Sequence, residues 1–154
     1  MAVTLGLVVF LVCACAKPLE PAPVLLVCEH GSVKSLMAAS MFNQAAAKRR
    51  LPFRAVSRGV TPDEQVPQKI AEALGREGFD VRSFKPVRVS SDDLNNASRV
   101  VAISIDPSAF ASGAKVHVEH WDDVPATSVD YAAARAALQR HVEQLLDELQ
   151  AAPR

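Results

Sequence analysis

The sequence predicts an α/β protein: a three-layer sandwich in which helices flank a four-stranded, mostly parallel sheet. Short apolar runs alternate along the chain with amphipathic helical patterns, as parallel sheets with crossover helices require. The first run, 24–27, is apolar at every position, which is typical of a strand covered on both faces. The 154 residues are 49% apolar, an ordinary composition for one globular domain.

The elements of this domain, 24–150, follow in order. Residues 24–27 form the first strand, and Ser35 to Arg50 form a helix because Met37, Met41 and Ala45 repeat every four positions without a breaker. The remaining strands are predicted at 53–57, 99–104 and 116–121, and the remaining helices from Pro67 to Gly78, from Asp92 and over 128–150. Because the last strand alternates in polarity, we expect it near a sheet edge.

The segment before the domain resembles an export signal. Residues 1–16 are almost entirely apolar and are too few to span a bilayer as a helix, which needs about 20 residues; a Pro-rich tether, 17–23, follows. Val12 to Cys15 resembles a bacterial lipobox, which predicts acylation of Cys15, a lipid anchor in the membrane and a periplasm-facing location in the bacterial cell envelope. Cleavage before Lys17 and a misassigned start on a cytoplasmic protein are the alternatives.

Composition excludes several classes of function. The 17 basic and 17 acidic residues cancel, so no electrostatic argument for binding nucleic acid can be made. Two of the three cysteines lie in the leader, which excludes a disulfide-built fold. His117 and His120 lie on opposite faces of a strand, so together with Asp122 and Asp123 they do not predict a metal site. No cofactor is expected, and the oligomeric state stays open.

The segment from Cys28 to Ser35 connects the first strand to the first helix. Ligands of such sheets bind beyond the carboxyl ends of the strands, where Ser57, Ser104, Asp106 and the 121–123 segment are also expected. Backbone N–H groups at a helix N-terminus favour an anion and the thiolate form of a cysteine. The residues predicted to surround the anion are Glu29, His30, Gly31, Ser32, Val33 and Lys34.

This arrangement fits phosphoryl transfer through a cysteinyl-phosphate. Cys28 would be the nucleophile, Lys34 the cation on the phosphate oxygens, and Ser35 the hydroxyl that steadies the thiolate. His30 is interpreted as a hydrogen-bonding loop residue rather than as a base. Arg58 is interpreted either as solvated surface or as a second cation over the anion, and Asp92 with Asp93 as a helix cap.

At these residues the chain resembles the low-molecular-weight protein tyrosine phosphatase family, including its arsenate reductase branch, whose signature is Cys-x5-Arg-Ser. The resemblance covers about 24–149 and includes 57–60, 92–101 and 119–122 in the expected order. It implies hydrolysis of tyrosine phosphomonoesters, with a phosphorylated protein or small molecule as the substrate.

Three departures from the family pattern bear on activity. Lys34 replaces the arginine, and an ammonium cannot make the planar bidentate contact of a guanidinium. Gly31 replaces the usual asparagine, so one loop hydrogen bond is expected to be absent. The family's Asp-Pro acid is displaced: one alignment assigns the acid to Asp123, with Asp122 beside it, and another puts Ala126 there and removes the acid.

The sequence therefore predicts a domain that binds phosphate-type oxyanions and hydrolyses aryl phosphomonoesters slowly. One alternative is an inactive pseudophosphatase that serves as an oxyanion- or phosphopeptide-binding module. The other is an arsenate reductase, which is disfavoured because its chemistry needs cysteines in addition to Cys28.

Overall fold

The computed structural model describes residues 21–152. The predicted leader, 1–16, with Cys15 and most of the tether, 17–23, lies outside these residues. Within them the four strands are β1 (Val24–Cys28), β2 (Ala55–Gly59), β3 (Arg99–Ile103) and β4 (Val118–Trp121). They form one sheet in the order β2-β1-β3-β4, and every neighbouring pair is parallel. The predicted fold class is confirmed.

Helices cover both faces of the sheet. They are α1 (Lys34–Lys48), α2 (Gln68–Arg76), α3 (Ser91–Asn96), α4 (Ser108–Ala111) and α5 (Tyr131–Ala151). On one face, Val24 and Leu26 of β1 pack with the buried sides of α1 and α5. On the other face, Leu25 and Val27 pack with Leu94 of α3 and with the partly buried residues around α4. The central strand is therefore buried on both faces, as its uninterrupted apolar sequence predicted.

Several element boundaries differ from the predicted ones because side chains near them bond the backbone. β2 starts at Ala55 and not at Phe53, and the Asn43 side chain binds both the N–H and the carbonyl of this first residue. Asp130 accepts the N–H of Ala133, which starts α5 at Tyr131. The short α4, which was not predicted, begins after Asp106 accepts the N–H of Ser108.

The carboxyl ends of the strands set the position of the cavity described below. Strands β1, β2, β3 and β4 all end at one edge of the sheet, at Cys28, Gly59, Ile103 and Trp121. β4 forms an outer strand, as predicted. Among residues 21–152, no helix combines the length and apolar character needed to cross a membrane.

Candidate active site

Cys28 ends β1 with its sulfur held inside the loop that leads to α1. The residue is only 5% exposed. Its Sγ lies 3.0 Å from Ser35 Oγ and accepts the N–H of Gly31 at 3.3 Å. A backbone donor and a hydroxyl thus converge on the sulfur. Both groups can donate a hydrogen bond to the sulfur.

A chain of buried hydroxyls extends from the sulfur across to β2. Ser35 Oγ lies 2.8 Å from Ser57 Oγ, and Ser57 Oγ donates to the Gly31 carbonyl at 3.0 Å. Ser35 and Ser57 are both buried. Ser57 was expected at this edge of the sheet but had not been assigned to the site. Its position beside Ser35 of α1, on the strand that pairs with β1, could be found only from the fold.

The hydrogen bonds between these hydroxyls can point in either of two directions, because each hydroxyl group has a single hydrogen to donate. With a thiol at Cys28, the hydrogens run from sulfur to Ser35, to Ser57 and to the Gly31 carbonyl. With a thiolate, Ser35 donates to sulfur, and the one hydrogen of Ser57 can serve either Ser35 Oγ or the Gly31 carbonyl but not both. Ser35 can therefore turn its hydrogen toward the sulfur at the cost of one of these two contacts.

Gly31 and Gly59 lie too close together for any side chain. Gly31 has a φ of +66°, and a Cβ added there would lie 2.7 Å from the backbone nitrogen of Gly59. A Cβ on Gly59 would lie 2.8 Å from the nitrogen of Gly31. The glycine that replaces the family's asparagine is thus required by this backbone contact between the Cys28 loop and the end of β2.

Hydrogen bonds from two further segments hold the Cys28 loop. Ser32 Oγ donates to the Asp63 carboxylate, and the Asp63 N–H donates to the His30 carbonyl at 3.1 Å. His30 Nδ1 lies 3.5 Å from the same carboxylate, so its side chain contacts the segment after β2. Thr61 Oγ1 similarly donates to Glu29. The loop is held against the segment that follows β2.

A cavity of about 320 Å³ opens beside the sulfur. Cys28, His30, Val33 and Lys34 form the loop side of its wall, and residues after β3 and β4 form the opposite side. Lys34 Nζ donates to the Val124 carbonyl at 3.0 Å. Partial burial lowers the pKa of Lys34, and the charge of nearby Cys28 opposes that shift. The Lys34 ammonium group therefore lies at the cavity and is hydrogen-bonded to the segment between β4 and α5.

The carboxylates proposed as the acid do not line this cavity. Asp123 binds Arg140 and His141 of α5, and the His141 ring stacks on Trp121 at 4.7 Å between centroids. The hydrogen bond from His141, with the nearby positive charges, lowers the pKa of Asp123. A carboxyl held in its ionised form and facing α5 is poorly placed to give a proton to a leaving group.

Asp122 is likewise directed away, with a largely exposed side chain 3.7 Å from His120 Nδ1. Ala126 instead lines the cavity. In this structure neither Asp123 nor Asp122, the two residues expected to supply the acid, faces Cys28. The alternative alignment, with Ala126 in place of the acid, stays a prediction.

Arg58 is neither free surface nor a cation over the cavity. Its guanidinium binds both carboxylate oxygens of Asp93 at about 3 Å and also donates to the Ser57 carbonyl. Burial raises the pKa of Asp93, but the hydrogen bonds from Arg58 and Ser90 outweigh this and leave it lowered. The cap of α3 is Ser90, with Asp93 completing a capping box, so the predicted Asp92–Asp93 cap is displaced to Ser90.

The buried cysteine at the end of β1, its supporting hydroxyls and the cation in the next turn define a class of protein: α/β domains with the nucleophile loop of cysteine-dependent phosphatases. The family model described as low molecular weight phosphotyrosine protein phosphatase matches residues 23–119, and the chain belongs to that family. The match ends before the 122–130 connection, where the acid was sought. No curated protein matches the chain significantly.

Solved structures share this fold. YfkJ from Bacillus subtilis is 23% identical, with a TM-score of 0.75 over 87% of this chain and 98% of that chain. A low molecular weight phosphotyrosine phosphatase from Vibrio cholerae is 18% identical, with a TM-score of 0.71 over 84% and 97%. An arsenate reductase from Archaeoglobus fulgidus is 25% identical, with a TM-score of 0.65 over 80% and 98%. Phosphatases and arsenate reductases are both among the similar structures.

Proposed function

We propose that this protein binds phosphate-type oxyanions at the Cys28 loop and hydrolyses phosphomonoesters with good leaving groups through a cysteinyl-phosphate. The observation that carries the proposal is the pair of contacts on Cys28 Sγ, from the Gly31 N–H and from Ser35 Oγ. A loop that only binds an anion has no use for a hydroxyl chain directed at a sulfur. A nucleophile does, because Ser35 Oγ and the Gly31 N–H can donate to the sulfur as it reacts.

The reaction has two displacements at phosphorus. The Cys28 thiolate attacks, the sulfur–phosphorus bond forms, and the bond to the leaving oxygen breaks with its electron pair on that oxygen. Water then attacks the cysteinyl-phosphate, releases inorganic phosphate and restores the thiolate. Lys34 and the loop N–H groups offset the negative charge on the three equatorial oxygens in both steps.

The leaving group limits the substrate range. Ala126 lines the cavity where a carboxyl would be needed, and Asp123 is bonded to α5. Glu29 also lines the cavity, but its carboxylate accepts the Thr61 hydroxyl. We therefore expect the leaving oxygen to depart as its anion, which acidic phenols do readily and alkyl alcohols or tyrosine do poorly. General acid catalysis is worth about 10²- to 10⁴-fold, so turnover of poor leaving groups should fall by that factor.

A second candidate function is a binding module without turnover. Its support is Lys34, whose Nζ donates one of its hydrogens to the Val124 carbonyl and cannot form the bidentate contact of an arginine. Arsenate reduction is not proposed, because Cys28 is the one free cysteine among residues 21–152 and the chemistry needs a second thiol to resolve the adduct.

One experiment separates the two candidates. The full chain and the Cys28→Ser variant are assayed with two aryl phosphates, one with an acidic and one with a weakly acidic phenol, while vanadate binding is titrated in parallel. We expect vanadate binding together with turnover of the acidic phenol ester that is lost in Cys28→Ser. Vanadate binding without turnover would establish the module, and the absence of both would refute the oxyanion site.

We also propose that the chain is exported and anchored through acylated Cys15, as a periplasm-facing lipoprotein. Val24 starts β1 at the edge of the sheet opposite Cys28, so the tether joins the domain at the end away from the cavity. Mass spectrometry of the membrane fraction should find a lipid-modified Cys15 at the N-terminus that is lost in Cys15→Ser but kept in Cys13→Ser. A product starting at Lys17, or an uncleaved cytoplasmic chain, would contradict the anchor.

A further inference from the structure

Ser104 follows β3 and combines two unusual features. Its φ is +53°, the left-handed region that serine rarely adopts. Its backbone N–H donates to the Trp121 carbonyl at 3.1 Å, and its Oγ donates to the Val124 carbonyl at 2.9 Å. It lines the same cavity as Cys28 and Lys34. Strained backbone of this kind persists where surrounding contacts require it, and it concentrates at functional sites.

The Val124 carbonyl is the point where Ser104 meets the cation. It accepts Lys34 Nζ at 3.0 Å and Ser104 Oγ at 2.9 Å, which uses both lone pairs of the oxygen. Val124 itself is buried, and Pro125 restricts the next backbone dihedral. Ser104 therefore helps to fix the position of the carbonyl oxygen that accepts the hydrogen bond from Lys34.

We infer that Ser104 is a positioning residue for Lys34, and through it sets the affinity of the Cys28 loop for an oxyanion. An ammonium on a flexible stem has no geometry of its own, unlike a planar guanidinium. One of its three hydrogens is used by the Val124 carbonyl, and two remain for the anion. The Val124 carbonyl, which Ser104 holds in place, fixes the direction of the Lys34 ammonium. An arginine would not need this support, because its guanidinium group is planar. This inference rests on the oxyanion site proposed above.

The substitution Ser104→Gly removes the hydroxyl without adding strain, because glycine adopts a positive φ readily. Ser104→Ala removes the hydroxyl and keeps the strain. Ser104→Gly should therefore be more stable than Ser104→Ala. If Ser104 positions Lys34, both variants should nevertheless bind vanadate about fivefold more weakly than wild type, the loss expected for one hydrogen bond. A merely structural role would make affinity follow stability and would leave the glycine variant near wild type.

A double-mutant cycle with Lys34→Met tests whether the effect passes through the lysine. In the methionine background, Ser104→Gly should leave the remaining vanadate affinity unchanged. The matched control is Ser98→Gly, because Ser98 precedes β3 and its Oγ donates to a backbone carbonyl, that of Pro23, at the far edge of the sheet. This control should bind vanadate as the wild type does.

The possible results distinguish the positioning role of Ser104 from the oxyanion site on which it depends. Weaker binding in Ser104→Gly that disappears in the Lys34→Met background supports the positioning role. Wild-type binding in Ser104→Gly, or an equal loss in both backgrounds, overturns that role and leaves the oxyanion site in place. A wild-type chain that does not bind vanadate overturns both.

Discussion

The Cys28–Ser35 loop and the 122–130 connection lie on opposite sides of one cavity but differ in what their side chains do. In the loop, the sulfur, the buried hydroxyls and the backbone N–H of Gly31 are directed at one another. In the connection, Asp123 is directed at α5, and Val124 presents a backbone carbonyl to Lys34. One side is arranged around the Cys28 sulfur, whereas the other contributes mainly to the packing of α5.

The two sides correspond to two parts of a phosphatase mechanism, the cysteine loop and the carboxylic acid that protonates the leaving group. A cysteine loop needs a glycine contact, a hydroxyl chain and a helix N-terminus, all of which come from β1, β2 and α1. The segment after β4 contributes no such set of contacts. The loop side therefore carries the cysteine and its hydrogen-bond partners, whereas the carboxylates of Asp122 and Asp123 lie away from the cavity.

Replacing Lys34 by arginine should have the largest effect on the loop side. A guanidinium presents two parallel donors to the equatorial oxygens, and a comparable oxyanion donor is worth about 10²- to 10³-fold in rate. We expect Lys34→Arg to approach that gain in the phosphorylation step, measured by rapid mixing with an acidic phenol ester. Lys34→Met is the control and should lower the rate. No change in rate or in vanadate affinity would mean that Lys34 does not face the anion.

Restoring a carboxyl to the opposite wall tests the other region. Ala126→Asp should raise turnover of the poorly leaving ester by about 100-fold and leave the acidic phenol ester nearly unchanged, because only the former needs protonation. Asp123→Asn is the matched control and should leave the ratio of the two rates unaltered. A fall in turnover of the poor ester alone in Asp123→Asn would restore Asp123 as the acid.

The contact between Gly31 and Gly59 should be the most sensitive packing point of the loop. Gly78 also has a positive φ, but no atom lies within 4 Å of the position that an added Cβ would take, so Gly78→Ala should cost only the strain of the left-handed region, about 1–2 kcal/mol. Gly31→Ala adds a clash with the Gly59 backbone, a further ~1–3 kcal/mol. Urea unfolding of both variants gives the difference. Equal losses would mean that the loop can move away from β2 at no cost.

The sequence allowed the loop to be predicted because its residues are contiguous. Cys28, Lys34 and Ser35 lie between a fully apolar strand and a breaker-free helix, so local pattern places them together. The partners of the loop come from distant segments. Ser57 reaches Ser35 through the register of β1 with β2, and Arg58 reaches Asp93 across 35 positions. Such pairings depend on the assembled sheet, which local periodicity does not specify.

The 122–130 connection could not be predicted for a related reason. Two adjacent aspartates and a displaced proline permit more than one alignment, and the choice between them depends on α5. Arg140 and His141 lie 17 and 18 positions after Asp123, and they decide where its carboxylate points. The α5 periodicity identified the helix, but it gave no indication that two of its residues would bind that carboxylate.

The smallest expected effect is on stability and concerns Asp123 itself. Its side chain is 54% exposed, so its ion pairs with Arg140 and His141 should stabilise the fold by less than about 1 kcal/mol. Because the pKa of Asp123 is lowered in the folded state, this stabilisation is present above the ordinary pKa of an aspartate, about 3.9, and is lost as the pH falls through the folded value. Asp123→Asn should thus be less stable than wild type near pH 7, and this gap in the free energy of unfolding should close on acidification toward pH 3.

Asp122→Asn is the control, because the Asp122 carboxylate is largely exposed, and it should match wild type throughout. A gap that widens in acid would mean that Asp123 is not held ionised by α5, and the contrast between a structural connection and a catalytic loop would lose its main support.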